Sequence, residues 1–75
     1  RVSVTQEDID KGVLGHSLKC PLARAIGRAR GHPVTVDTSI WGPVTGGYFM
    51  LPASAVRFRV RYDAGLPVEP MEFEL

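Results

Sequence analysis

The sequence predicts a single small α+β domain, residues 1–75, with an antiparallel-rich sheet. The chain has 75 residues, which excludes two-domain enzymes, doubly wound nucleotide-binding folds and barrels. Hydrophobic residues make up 44% and charged residues 23% of the chain, as in ordinary globular proteins. Apolar residues recur with period two in several segments and at helical spacing in others. Strands and helices are therefore expected around one core.

The first segment predicts a strand and then a short helix. Residues 2–5 alternate apolar and polar side chains, as a half-buried strand does. Thr5 begins a Thr-x-x-Asp pattern with Asp8, in which the hydroxyl can accept the third helical N–H. Gly12 suits the end of such a helix. We expect this helix to cover residues 6–11.

The second helix has the clearest signals in the sequence. Pro21 is favoured at a first helical position because its missing N–H has no partner there anyway. Gly31 supplies the stop. The apolar residues that recur at helical spacing are Leu22, Ala25, Ile26 and Ala29. Arg24 and Arg28 lie four apart on the opposite face, and the predicted helix covers residues 21–30.

The middle of the chain predicts a β-hairpin over residues 33–51. Alternation from Pro33 to Trp41 separates an inward and an outward set. The inward set is Val34, Val36, Thr38 and Ile40, and the outward set is Thr35, Asp37, Ser39 and Trp41. Residues 42–47 have the glycine and proline content of a loop, and residues 48–51 form the second strand.

Residues 52–65 fit two structures. A strand would alternate Val56, Phe58, Val60 and Tyr62 with Arg57, Arg59 and Arg61. A helix would begin after Pro52, end at Gly65, and place Ala55, Phe58 and Tyr62 on one face, although Arg59 falls within that apolar arc. Periodicity alone favours the strand. Residues 68–75 alternate again and predict a terminal strand.

Motifs along most of the chain resemble those of a known group of proteins. They are Val4-Thr5-Gln6-Glu7-Asp8-Ile9-Asp10-x-Gly12, Cys20-Pro21-Leu22-Ala23-x-Ala25-Ile26, Leu51-Pro52, Phe58-x-x-x-Tyr62-Asp63-x-Gly65 and Pro67-Val68-Glu69-Pro70-x-x-Phe73. In these the chain resembles small uncharacterised proteins encoded by bacteriophages, especially those of actinobacteria, and by bacterial mobile elements. The hairpin carries no resemblance. The chain departs from the pattern of this group at two places. It lacks the additional cysteine that such proteins often carry shortly before Cys20, and it has Val60 between arginines where the group has a more helix-like spacing.

The resemblance implies the element order β-α-α-β-β-α-β and favours a helix over residues 53–64. The three helices, 6–11, 21–30 and 53–64, would then pack on one face of the sheet. The expected core is Leu22, Ile26, Val34, Val36, Ile40, Phe49, Phe58 and Phe73. The resemblance implies no activity.

Catalytic and metal chemistry have weak support in the sequence. Cys20 precedes a helix, where the dipole favours a thiolate, and His16 and His32 are the candidate bases. Their spacing matches no known cysteine-enzyme pattern and no paired zinc motif. We therefore expect Cys20 to be a buried inert thiol, and we predict a protein that is not an enzyme and has no cofactor or metal.

The arginines suggest nucleic-acid binding as an alternative function. The net charge is only +1, but the stretch between Lys11 and Val36 holds five cations and no acid. If residues 56–62 were a strand, Arg57, Arg59 and Arg61 would form a line spaced about 7 Å apart, comparable with phosphate spacing. Arg24 and Arg28 could add to it. The acids at both chain ends would oppose a polyanion.

The hairpin is the better candidate for a binding site, and the expected partner is a protein. Trp41 and Asp37 share its predicted outward face, Tyr48 can reach that face, and Val44 lies in the loop. Exposed Trp and Tyr beside a flexible loop are typical of interface anchors, although Trp41 can instead fold over the core edge. We predict a phage-type accessory protein of the bacterial cytoplasm that binds a host or phage protein, for example to inhibit a host system. No apolar run approaches the roughly 20 residues of a membrane span, and edge-strand pairing could form a homodimer.

Overall fold

Two separate antiparallel sheets and three helices make up the fold in the computed structural model, which describes residues 1–37 and 39–75. The elements are β1 (Val2–Val4), α1 (Gln6–Lys11), α2 (Pro21–Arg30), β2 (Val34–Val36), β3 (Ile40–Pro43), β4 (Phe49–Met50), α3 (Ala53–Asp63) and β5 (Met71–Phe73). The predicted α+β class is confirmed. The middle of the chain holds one strand more than predicted, and the expected single sheet is divided into β1-β5 and β2-β3-β4.

The β1-β5 sheet joins the two ends of the described chain. Val2 lies opposite Phe73, and Val4 lies opposite Met71. Alternation sends Val2 and Val4 into the core, where both are buried. On the outer side Arg1 forms ion pairs with Glu72 at 3.0 Å and Glu74 at 3.3 Å. The predicted strands at both ends are confirmed.

Local signals set both N-terminal helices, as predicted. In α1 the Thr5 hydroxyl accepts the Asp8 N–H at 3.2 Å, and the Asp8 carboxylate accepts the Thr5 N–H at 3.0 Å, which completes a capping box. In α2 the Cys20 sulfur caps the helix by accepting the Ala23 N–H at 3.4 Å. The helix ends at Gly31, whose φ of 79° is in the left-handed region.

The predicted strand 33–41 is wrong, because the chain reverses between Asp37 and Ile40. The Asp37 N–H donates to the Ile40 carbonyl at 2.8 Å, and Val36 pairs with Trp41 across β2 and β3. Directly opposed residues point to the same side of a sheet. Trp41 therefore lies on the buried side with Val36, and Ile40 moves to the other side, where it is only half-buried. The expected inward position of Thr38 lies outside the described residues.

A close backbone approach shapes the turn between β3 and β4. Gly46 donates its N–H to the Pro43 carbonyl at 3.0 Å, and Gly46 and Gly47 have φ values of 127° and 85°. Gly42 is buried against this turn, and a Cβ at that position would overlap the Gly47 carbonyl oxygen. The predicted loop therefore begins after Pro43, because Gly42 and Pro43 belong to β3.

Residues 53–63 are helical, as the resemblance implied, and the strand alternative is wrong. Ala55 and Phe58 are buried, and the Tyr62 ring stacks on Phe58 with 6.4 Å between ring centroids. Arg59, the apparent defect of the apolar arc, is buried, and its hydrogen-bond partners are described below. The helix ends at Asp63, one residue before the expected end.

The core sits where α2 and α3 meet the two sheets. α2 packs on both β1 and β2. Six of the expected core residues are buried: Leu22, Ile26, Val34, Val36, Phe58 and Phe73. Two are not, because Ile40 lies on the outer side of its sheet and Phe49 lies at the sheet edge with 56% of its surface exposed. None of the helices in the described ranges is long and apolar enough to cross a membrane.

Candidate protein-binding surface

Three consecutive large apolar side chains are exposed on β4 and the residue before it. Tyr48 is 69% exposed, Phe49 56% and Met50 74%, and Val44 in the preceding turn is 57% exposed. We call these four residues the β4 surface. Folded chains usually bury an apolar run of this length in a strand, and an exposed run is typical of an interaction site.

Trp41 supports this surface from beneath. Phe49 lies opposite Trp41 on the inner side of the sheet, with 5.1 Å between ring centroids. The Arg30 guanidinium lies 5.4 Å from the centroid of the Trp41 ring, a cation–π distance. Trp41 is only 6% exposed. The prediction of an outward anchor is therefore wrong for Trp41, and the alternative, in which its ring closes over the core edge, is confirmed.

The backbone of Met50 faces away from the sheet. Leu51 donates its N–H to the Ser39 carbonyl at 2.9 Å, and bonded pairs alternate with non-bonded pairs along an antiparallel ladder. Trp41 with Phe49 is then the next bonded pair, and Ile40 with Met50 is a non-bonded pair. Across residues 1–37 and 39–75, β4 pairs with β3 alone. The Met50 N–H and C=O are therefore free to pair with an added strand.

A groove of about 710 Å³ borders the same strand. It is lined by Arg30, Trp41, Phe49, Met50, Leu51, Pro52, Glu74 and Leu75. Most of these side chains are apolar, and the carboxylate of Glu74 is already bonded to Arg1. The groove therefore extends the apolar β4 surface toward the C-terminal residues and offers side-chain room beside a free strand edge.

Some of the residues predicted to bind a protein partner are exposed on the β4 surface, and two further residues of that surface were not predicted. Val44 and Tyr48 are exposed as expected. Asp37 is exposed as well, but it lies in the turn between β2 and β3, at the opposite end of the sheet from the Val44 turn. Phe49 and Met50 were missed. The signal that could have found them is the absence of any Asp, Glu, Lys, Arg or His from residues 38–56.

Three of the five arginines of the alternative function, Arg24, Arg28 and Arg59, are engaged in ion pairs within the chain. Arg28 holds both carboxylate oxygens of Asp8, at 2.9 and 2.7 Å, and Arg24 contacts Asp8 at 3.3 Å. Arg59 donates to the Val36 carbonyl at 2.6 Å and to Asp63 at 2.6 Å. Arg57 and Arg61 remain on the surface of α3, and the helix removes the predicted line of three. Binding to nucleic acid stays a prediction, and the salt dependence of affinity tests it.

The ion pair with Arg28 strongly affects the protonation of Asp8. Its side chain is fully buried. Burial by itself would raise the pKa of Asp8, but the hydrogen bonds from Arg28 and from the Thr5 N–H outweigh it and lower the pKa to about 2. The carboxylate is therefore ionised and structural, which leaves it unsuited to proton transfer near neutral pH.

Cys20 lies in an environment that disfavours nucleophilic chemistry. The thiol is fully buried, and this burial raises its pKa. Its sulfur contacts the Ala23 N–H and, at 3.7 Å, Arg59. The Nδ1 atom of His16 accepts the Leu18 N–H. In the described part of the chain, no group of three or more His, Cys, Asp or Glu side chains could hold a metal ion.

Comparison with models of protein families, with curated proteins and with solved structures finds no match for this chain. The resemblance to small phage proteins therefore stays a prediction. The geometry described above offers one chemical capability on its own terms, because a free strand edge between apolar side chains can bind an extended backbone.

Proposed function

We propose that this chain is a non-catalytic protein-binding module that adds a strand of its partner to the edge of β4. The observation that carries the proposal is the run of exposed Tyr48, Phe49 and Met50 along a strand whose outer backbone groups lack a partner. Strand addition uses the backbone hydrogen bonds for affinity and the neighbouring side chains for specificity. Both components are present at this edge.

The composition of the edge supports the proposal. Proteins usually protect an exposed edge strand by keeping it short or with lysine, proline, an inward charge or a covering loop, and of these β4 has only its short length of two residues. Residues 48–50 carry no charged residue and no proline. An unprotected apolar edge costs solubility, and a partner that covers it removes that cost.

The polar groups of the core give no competing site. In the described residues, no buried side-chain nitrogen or oxygen lacks a hydrogen-bond partner. Buried polar atoms aimed into a cavity are common at catalytic sites, and the buried charges here, Asp8 and Arg59, are bonded within the fold. The apolar β4 surface is thus a feature that internal contacts leave unused, and it combines an exposed apolar run with a strand edge.

The resemblance to phage proteins directs the search for the partner to bacterial host and phage proteins. Immobilised wild-type chain is compared with M50K and V60K in capture from nuclease-treated lysate. Val60 is a matched control because it is an exposed apolar residue, 53% accessible, on α3. A partner bound by wild type and V60K but lost with M50K supports the proposal. A partner retained equally by both variants contradicts it.

A further inference from the structure

We propose that the strand added to β4 is the β4 of a second copy of this chain, in an antiparallel pair about a twofold axis. The inference rests on the proposed function and names the partner of the same surface. A twofold interface requires a surface that is complementary to itself. Three features of the edge meet this requirement: its backbone register, its lack of charge and its position in the sheet.

The backbone register suits self-pairing. The Met50 N–H and C=O point outward, and an added strand that extends β4 by one residue would give Tyr48 the same direction by the period of two. An axis through Phe49 places Tyr48 of one copy opposite Met50 of the other, so that the outward groups meet as bonded pairs. The two Phe49 residues then form the non-bonded pair, in which opposed side chains lie closest.

The side chains that meet in this register are compatible. Tyr48 and Met50 occupy one side of the paired strands, where a thioether can contact an aromatic ring favourably. The two Phe49 rings meet on the other side, as an aromatic cross-strand pair. Each Phe49 is already held against its own Trp41 at 5.1 Å between centroids, which limits the side-chain entropy lost on association.

Charge favours a second copy over an unrelated protein. Residues 38–56 carry no Asp, Glu, Lys, Arg or His, so two copies approach through this stretch without like-charge repulsion. The outer face of the β1-β5 sheet differs, because its charges, Arg1 with Glu72 and Glu74, are already paired with each other. Interfaces with foreign proteins usually rely on complementary charges for steering and discrimination, and this edge has none to offer.

The other edge of the sheet is blocked at Val36, which opposes growth beyond two copies. The outer groups of Val36 on β2 are occupied, since its N–H donates to Ser17 and its carbonyl accepts from Arg59. Pairing through β4 therefore gives one continuous sheet of two copies whose outer edges are both closed at Val36. This closed arrangement avoids the open-ended stacking that a two-edged sheet would allow.

The interface would be small. Stable complexes use about 20–30 residues on each side, whereas the β4 surface with its bordering groove has fewer. We therefore expect a reversible dimer whose population rises with protein concentration. Sedimentation equilibrium of the purified full chain over a wide concentration range should show a shift from 8.2 kDa toward twice that mass.

Complementary charges test the register itself. M50K alone and Y48E alone should remain monomeric, because each replaces an apolar contact beside the axis with an unpaired charge, while V60K should dimerise like the wild type. An equimolar mixture of M50K and Y48E should recover the dimer, since the introduced ammonium lies opposite the introduced carboxylate. Recovery also shows that both variants are folded.

Two results would overturn the inference. One is a wild-type chain that stays monomeric at every concentration, and the other is a dimer that M50K leaves intact. A monomeric wild type that loses a captured protein on M50K, but not on V60K, would overturn self-pairing and leave the proposed function standing. A monomer with the same captured proteins in all variants would overturn both.

Discussion

The two edges of the three-stranded sheet differ in whether their backbone groups have partners. At the β2 edge the chain covers its own backbone, because Ser17 and the buried Arg59 bond both outer groups of Val36. At the β4 edge the outer groups of Met50 have only solvent to face, and the neighbouring side chains are apolar. One edge is part of the folded unit, and the other is available to a second chain.

The two regions also differ in composition, because one holds the buried charges and the other the exposed apolar side chains. The buried charges, Asp8 on α1 and Arg59 on α3, are hydrogen-bonded within the fold. The uncharged stretch 38–56 instead carries the exposed Tyr48, Phe49 and Met50. The two buried charges thus stabilise the fold beside an apolar core, while exposed apolar side chains form the candidate contact surface.

The largest expected effect comes from opening the closed edge. Arg59→Met keeps much of the buried stem but leaves the Val36 carbonyl without its donor and breaks the bond to Asp63. Leaving the buried Val36 carbonyl without its charged donor costs about 3 kcal/mol, and the loss of the partly exposed pair with Asp63 adds to this, which is a large part of the stability of a small domain. Urea unfolding measures the loss.

Arg57→Met is the control for this prediction. Arg57 lies on the same helix and is exposed, so its replacement should change the free energy of unfolding by less than about 0.5 kcal/mol. Equal effects of the two variants would show that Arg59 does not hold the β2 edge closed.

Gly42→Ala should disturb the open edge from within the sheet. The added methyl overlaps the Gly47 carbonyl oxygen and lies 3.4 Å from the Tyr48 Cα, so the backbone leading into β4 must move. We expect a loss of about 3 kcal/mol, the upper end for over-packing, because backbone cannot yield as a side chain does. Amide exchange should accelerate at Leu51, which bonds Ser39, more than within α2. Unchanged exchange at Leu51 would contradict this account.

Acid should lower the stability of the fold through Asp8. The stretch 38–56, which holds β3 and β4, has no Asp, Glu or His that could titrate in this range. The pKa of Asp8 is about 2 in the folded chain against an ordinary value of 3.8. A lowered pKa contributes stability above the unfolded value and loses it as the pH falls. Between pH 4 and pH 2 the free energy of unfolding should therefore drop by about 2 kcal/mol.

Asp8→Asn provides the comparison for the acid prediction. With no carboxyl at this position, the fall in stability over the same pH window should be much smaller than in the wild type. Urea unfolding at several pH values measures both slopes. Equal slopes would assign the acid sensitivity to other carboxylates.

The sequence predicted the elements whose signals are local. The capping box at Thr5 and the proline and glycine that bound α2 act within one or two helical turns, so a single stretch of sequence specifies them. The closed edge could not be predicted in this way. It depends on Arg59 reaching Val36, which is 23 residues away along the chain, and no periodicity encodes such a pairing.

The candidate site was only partly predictable for a different reason. Asp37 and Ser39 fit the outward positions of one long strand as well as they fit a turn, and placing the turn there reverses the facing of the residues directly after it. Trp41 therefore went inward and Ile40 outward. Phe49 does point inward, but it lies on an edge strand, where alternation says nothing about whether another element covers it.

The smallest expected effect is on the stability of the isolated chain when the open edge is altered. Met50 is 74% exposed and its side chain contributes little to the core, so M50K should change the free energy of unfolding by less than about 0.5 kcal/mol at low protein concentration. The same substitution should abolish association. A dimer is stabilised against unfolding by mass action, so at high concentration the wild type should unfold at higher urea than M50K. If M50K instead lowers stability equally at all concentrations, β4 belongs to the folded unit as fully as β2 does, and the contrast between the two edges disappears.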